Sequence, residues 1–171
     1  MKRMIIAAIA ALVPSLAVAG QWAYVGSDDT AHFAVDIGTI RVEGDRRTFW
    51  HVTAYQEAQE FEGQGHDYSV NQAIITCQNS AISSMALTYY NLSASSPIFS
   101  ETYDAPDFNP IIPDTVGYAL WEFVCGHVEW PEETIETARV FTQSARLVYQ
   151  NQEEWVGEAD RAAERAAEPI D

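Results

Sequence analysis

Basic residues are scarce in this chain: 9 lysines and arginines stand against 25 aspartates and glutamates, a net charge of −16. Such a field repels phosphate backbones and anionic lipid, so nucleic acid and acidic membrane surfaces are poor partner candidates. Cysteine is scarcer still, with only Cys77 and Cys125 and no CxxC pair, which argues against a redox or zinc site. The sequence also lacks GxSxG, HExxH, a phosphate-binding loop and GxGxxG. Its histidines, His32, His51, His66 and His127, have no ligand spacing. His51, two residues from Phe49 and four from Tyr55, reads as a structural histidine. His66-Asp67, with Glu60 and Glu62, has the donors for a divalent cation, but a solvated acidic loop is the preferred reading. Glu132-Glu133 and Glu153-Glu154 are adjacent in sequence and diverge on a helix, so neither forms an acid/base dyad. These absences predict a protein that is not an enzyme, with no cofactor and no metal site.

Long apolar runs are missing too, apart from one at the start. Lys2 and Arg3 precede the apolar stretch Met4 to Val13, and Ala17-Val18-Ala19 supplies a small-x-small cleavage signal. At about 16 residues and broken by Pro14, the run is short for a membrane span. The expectation is a signal peptide over residues 1–19, with a membrane anchor as the plainer alternative. Cleavage after Ala19 removes Lys2 and Arg3 and takes the net charge from −16 to −18. No cysteine follows the cleavage site, so a lipid anchor there is not available. The predicted location is the periplasm or the outside of the cell. In an oxidising compartment the two cysteines favour a structural disulfide, which in the chain-entropy model contributes about 4 kcal/mol. Two unpaired buried thiols remain the alternative.

What is present from Gln21 to Tyr103 is β pattern. Trp22 to Val25, His32 to Asp36 and Ile40 to Glu43 read as strands, with Ile37-Gly38-Thr39 as a bend. Gly44-Asp45 is a hairpin candidate leading into Arg47–Gln56, where Phe49, His51, Thr53 and Tyr55 alternate with Trp50, Val52 and Ala54. Bulk on both faces predicts a central strand. Glu57 to Asp67 has no periodicity and reads as a mobile loop. Val70–Cys77, Ile82–Tyr90 and Ile98–Tyr103 return to strand, and the period of two puts Ala73 and Ile75 on the face of Cys77. Short turns imply an antiparallel meander.

Helical pattern follows in two segments. Pro110 to Gly126 carries an apolar stripe of Val116, Ala119, Leu120, Phe123 and Val124, with Asp114 or Thr115 as cap and Gly126 as stop. From Trp130-Pro131-Glu132-Glu133 a longer helix is expected to reach at least Glu154. Its seam of Ala138, Phe141, Ala145, Val148 and Trp155 is alanine-rich, which favours packing back on its own domain over a coiled coil.

Trp22, Phe33-x-x-Asp36, Ile40, Trp50, the strand-closing Cys77, Asn109-Pro110-Ile111-x-Pro113 and Val124-Cys125-Gly126 together resemble the surface-adhesin protein E-like family. The resemblance covers about residues 21–126. It implies an antiparallel sheet with a helix tied to it by the disulfide, and an adhesin for host matrix proteins as its best-known member. This sequence differs in lacking a lipoprotein cysteine, in its acidity and in the helix added after Gly126.

The expected architecture is therefore α+β: about six antiparallel strands, a helix disulfide-tethered to one face through Cys77 and Cys125, and a C-terminal helical extension. Residues 20–126 form the domain and 127–171 the acidic extension. The expected function is that of an exported, non-catalytic, monomeric binding module for a protein or glycan ligand. Tyr55, Tyr68, Tyr90 and Trp155 are its candidate partner surface. The alternatives are an envelope assembly protein acting through its C-terminal helix and a small envelope hydrolase.

Overall fold

The strand β3 (Arg46–Phe61) is apolar at both parities over its first half, so it needs cover on both faces and neighbours on both edges. A computed structural model, which describes residues 20–151, supplies all four. The expected signal peptide, Trp155 and the remainder of the extension lie outside the described residues.

The sheet runs β1 (Trp22–Ser27), β2 (Ala31–Glu43), β3, β4 (Gln64–Thr76), β5 (Ala81–Tyr90) and β6 (Phe99–Thr102), each antiparallel to the next. A short β7 (Asn109–Pro110) pairs with Ala81 and Ile82 of β5, beyond the end of β6. The expected bend at Ile37-Gly38-Thr39 is instead a register shift within one continuous strand, between Asp36 and Arg41. There the Thr39 hydroxyl accepts the Trp50 N–H (3.1 Å) and donates to the Asp36 carbonyl (2.7 Å), which satisfies the backbone of the bulge.

The segment Glu57–Asp67 is not a loop. β3 continues to Phe61 and β4 begins at Gln64, with Phe61 opposite Gln64 and Gln59 opposite His66. Glu62 (φ 51°) and Gly63 (φ 76°) form a two-residue turn with both residues in the left-handed region, the geometry that matches strand twist. Pattern reading fails here because the pairing shifts between Ala54 and Gln59, which breaks the period of two.

Helix α1 (Val116–Val124) has Thr115 as its cap, with Thr115 Oγ1 accepting the Tyr118 N–H at 3.3 Å. Gly126, at φ 81°, ends it. Leu120, Phe123 and Val124 pack on Ala23, Val35, Phe49, Ala73 and Ile75, one face of the sheet. Cys77 and Cys125 are bonded, with Cα atoms 5.7 Å apart. The Trp121 indole N–H donates to the Cys77 carbonyl (3.1 Å) beside the bridge. The tether therefore holds α1 near the Gly44-Asp45 end of the sheet, where the Cys77 N–H donates to the Asp45 carbonyl.

A second helix, α2 (138–151, to the end of the described residues), covers the other face. It begins later than Glu132. Ile135 and Trp22 exchange two backbone hydrogen bonds of 2.9 Å, which keeps the segment before it extended along the β1 edge. Thr137 then caps, its Oγ1 accepting the Val140 N–H. Phe141 and Ala145 are buried against Trp22, Ala34, Val52, Ala54 and Tyr68. Val148, assigned to the same seam by its spacing, is 51% exposed at the edge of this contact. Arg146 and Arg139 clamp the helix down. Arg146 pairs with Asp67 (2.7 Å) and donates to the Tyr55 carbonyl, and Arg139 donates to the Leu92 and Ala94 carbonyls. The extension thus packs back on its own sheet in its described part.

Candidate functional site

Tyr55 shares its parity with Phe49, so it lies on the α1 side of the sheet, but at the opposite end from the tether. The hairpin beyond it and the strands beside it bring further rings to the same place. The His66 ring meets Tyr55 edge-on at 5.3 Å and stacks on Tyr89 at 4.3 Å. Tyr89 continues to Phe99 (5.5 Å) and Phe61 (5.1 Å), and Phe61 and Phe99 meet at 4.6 Å. The result is a continuous aromatic surface of half-buried rings with the buried His66 among them. Tyr103, 37% exposed, donates its hydroxyl to Glu101 at 3.0 Å. Glu57, Glu60, Glu62 and Glu101 are exposed around this end of the sheet.

Between the aromatic surface and α1 the same face is polar and buried. His51 lies directly across from Asn71, whose Nδ2 donates to Ser84 Oγ (2.9 Å). The His51 Nδ1, His66 Nδ1 and Asn71 Oδ1 atoms make no hydrogen bond within the protein. Burial removes water from the imidazolium form of His51 and pulls its pKa down to about 4. Desolvation lowers the pKa of His66 as well, opposed by the nearby Asp67 carboxylate. Both rings are therefore neutral at pH 7 and make ring contacts, His51 with Phe49 and His66 with Tyr55 and Tyr89, without acting as charges.

Of the four residues expected to form one partner surface, Tyr55 is separated by the sheet from Tyr68 and Tyr90. Tyr55 belongs to the aromatic surface just described. Tyr68 and Tyr90 stack on each other (5.0 Å, 10°) on the opposite face, and Tyr68, at 6% exposure, is part of the core under α2. Tyr68 is thus a packing residue, because its pairing with Ala54 sets its parity. Trp155 lies outside the described residues. Phe61, His66 and Phe99 were missed by pattern reading. Phe61 and His66 sit in the segment whose strand phase is hidden, while Phe99 was visible only as one aromatic in a short edge strand. The His66-Asp67 pair does not converge on a cation: Asp67 turns to Arg146 and accepts the Leu92 N–H at 2.5 Å, while His66 joins the rings. Among the described residues no group of three or more His, Cys, Asp or Glu side chains is gathered for a metal. No helix among them is long and apolar enough to cross a membrane.

A disulfide-tied antiparallel sheet, with a helix over one end of one face and aromatic rings over the other end, defines an α+β domain. The chain belongs to the surface-adhesin protein E family, whose family model matches residues 22–126. Solved structures similar to it include crystal form II of Haemophilus influenzae protein E, with 13% identity and a TM-score of 0.47 over 72% of this chain and 98% of that one. Protein E from non-typeable Haemophilus influenzae is similar at 15% identity and a TM-score of 0.44, over 67% of this chain and 82% of that one. A search of curated proteins finds no match. Helix α2 lies wholly beyond the matched segment.

Proposed function

We propose that this chain is an exported, non-catalytic binding module of the cell envelope that engages a protein ligand through the aromatic face of Tyr55, Phe61, Tyr89 and Phe99. The single observation that carries the reading is the continuity of those rings over the part of the sheet that α1 leaves open. Aromatic residues supply large contact area at low entropic cost and anchor interfaces. The carboxylates around them favour a ligand segment carrying lysine or arginine, which can also sit over the ring faces. The family name, surface-adhesin protein E, supports an adhesive role for the chain outside the cytoplasm. Delivery would follow cleavage after Ala19, to the periplasm or beyond. Because Phe141 and Ala145 of the α2 seam are buried against its own sheet, binding by a monomer is favoured over assembly through that helix.

The test is binding of the mature chain to a panel of immobilised extracellular-matrix proteins, alongside a Tyr55→Ser/Tyr89→Ser double variant. The expected result is saturable binding to at least one basic matrix protein that weakens with added salt and falls at least tenfold in the double variant. Equal binding by wild type and variant would contradict the assignment of the face. No binding to any panel member, with turnover of a test substrate, would contradict the functional class.

A further inference from the structure

The seam where α2 meets the sheet contains a cavity of about 300 Å³, lined by Tyr24, His32, Ile135, Phe141, Ala145 and Val148. It lies on the face of the sheet opposite the aromatic surface, because Tyr24 and His32 share the parity of Ala34. Its walls come from two sources: β1 and β2 of the family domain, and the extension beyond residue 126. The site opens to solvent on one side, and its volume is at the small end of the range of small-molecule clefts. Lining chemistry is apolar with few polar groups, the usual composition of a small-molecule site. Two side chains bring polar groups besides the Tyr24 hydroxyl: Ser144, exposed on α2, and His32, whose Nε2 is buried and makes no hydrogen bond within the protein. Leaving such an atom unpaired is costly, and a ligand donor or acceptor relieves that cost.

We infer that this cavity is a binding site for a small neutral apolar ligand, an aromatic or short acyl group carrying one hydroxyl or N–H beside His32. Charge selects against other classes. An anion would enter a chain of net charge −16 and meet Asp28, which interacts with His32. A cation would lose its hydration among apolar walls without a buried carboxylate to receive it. Desolvation lowers the His32 pKa, so its ring is neutral at pH 7 and suits a neutral partner. Tyr24 and Val148, about half exposed, form the lip through which the ligand enters.

The test is fluorescence titration of the full mature chain with N-phenylnaphthylamine, a neutral aromatic probe with one N–H, and with phenylnaphthalene, which lacks it. Single-site saturable binding of both probes is expected. Ser144→Phe, at an exposed lining position on α2, should abolish both signals by filling the cavity. His32→Leu should weaken the amine by several-fold, on the order of ten, and leave the hydrocarbon unchanged. Absence of saturable binding, or binding that ignores both substitutions, overturns the site. Probe binding that emerges only in a Trp155→Ala chain would show the cavity to be covered by the protein's own tail, and binding that declines as protein concentration rises would assign it to a second copy. Either result overturns the small-ligand inference and leaves the aromatic face untouched.

Discussion

His51 is where burial acts most strongly on a single group. Its ordinary pKa of 6.5 falls to about 4 because the charged ring has no water and no carboxylate beside it. Since the folded pKa is the lower one, the unfolded chain takes up a proton that the folded chain refuses as pH drops below 6.5. Stability is therefore full above that pH, declines between 6.5 and 4 and levels off below, a loss of about 3 kcal/mol from this group alone. Urea midpoints measured across this range should show the decline in wild type and a smaller one in His51→Gln. Identical pH profiles would mean that the ring is solvated. The structural reading of His51 was available from its neighbours Phe49 and Tyr55, since the strand between them is regular. Tyr68 was not readable in the same way. Its face is fixed by pairing with Ala54, beyond which the register shifts, and no local pattern reports a shift of that kind.

At the scale of elements, the two helices hold the sheet by different means. α1 buries three side chains and is fixed by the covalent bridge, which closes a separation of 48 residues. Cys125→Ser should lower stability by about 4 kcal/mol in the chain-entropy account while leaving the β-sheet circular dichroism signal in place. Unlinked cysteine peptides in the native oxidised protein would remove the bridge from this account. The pairing was legible because two cysteines without a CxxC pair, in a sequence read as exported, have few other uses. α2 has no covalent tie; Phe141 is its main apolar anchor, and Arg139 and Arg146 add hydrogen bonds and the ion pair to Asp67. Phe141→Ala should cost about 3 to 4 kcal/mol, read as a shift in denaturant midpoint. A change under 1 kcal/mol would mean that α2 is not docked in solution. The late start of α2 could not be read from Pro131-Glu132-Glu133, which satisfy the local rules for a helix N-terminus. The competing pairing of Ile135 with Trp22 is a contact across more than a hundred residues and leaves no trace in sequence.

The whole molecule divides its labour between the two faces of one sheet. One face is shared by α1 and the aromatic surface, and the other is occupied by α2. This division predicts a monomer, because Phe141 and Ala145, the described part of the seam that packs, are already covered by the sheet and like-charged chains repel. Sedimentation of the mature chain should give a monomer, whereas a chain ending at Gly126 should associate or precipitate through exposed Trp22, Val52 and Tyr68. A dimer that becomes a stable monomer on truncation would reverse this reading. The central claim, that the ligand lies on the α1 side of the sheet, is tested most directly by hydroxyl-radical footprinting of tyrosines with and without a bound matrix protein. Tyr55, Tyr89 and Tyr103 are predicted to gain protection, while Tyr24, on the α2 side, keeps its reactivity. Protection of Tyr24 with no change at Tyr55, Tyr89 and Tyr103 would contradict the account.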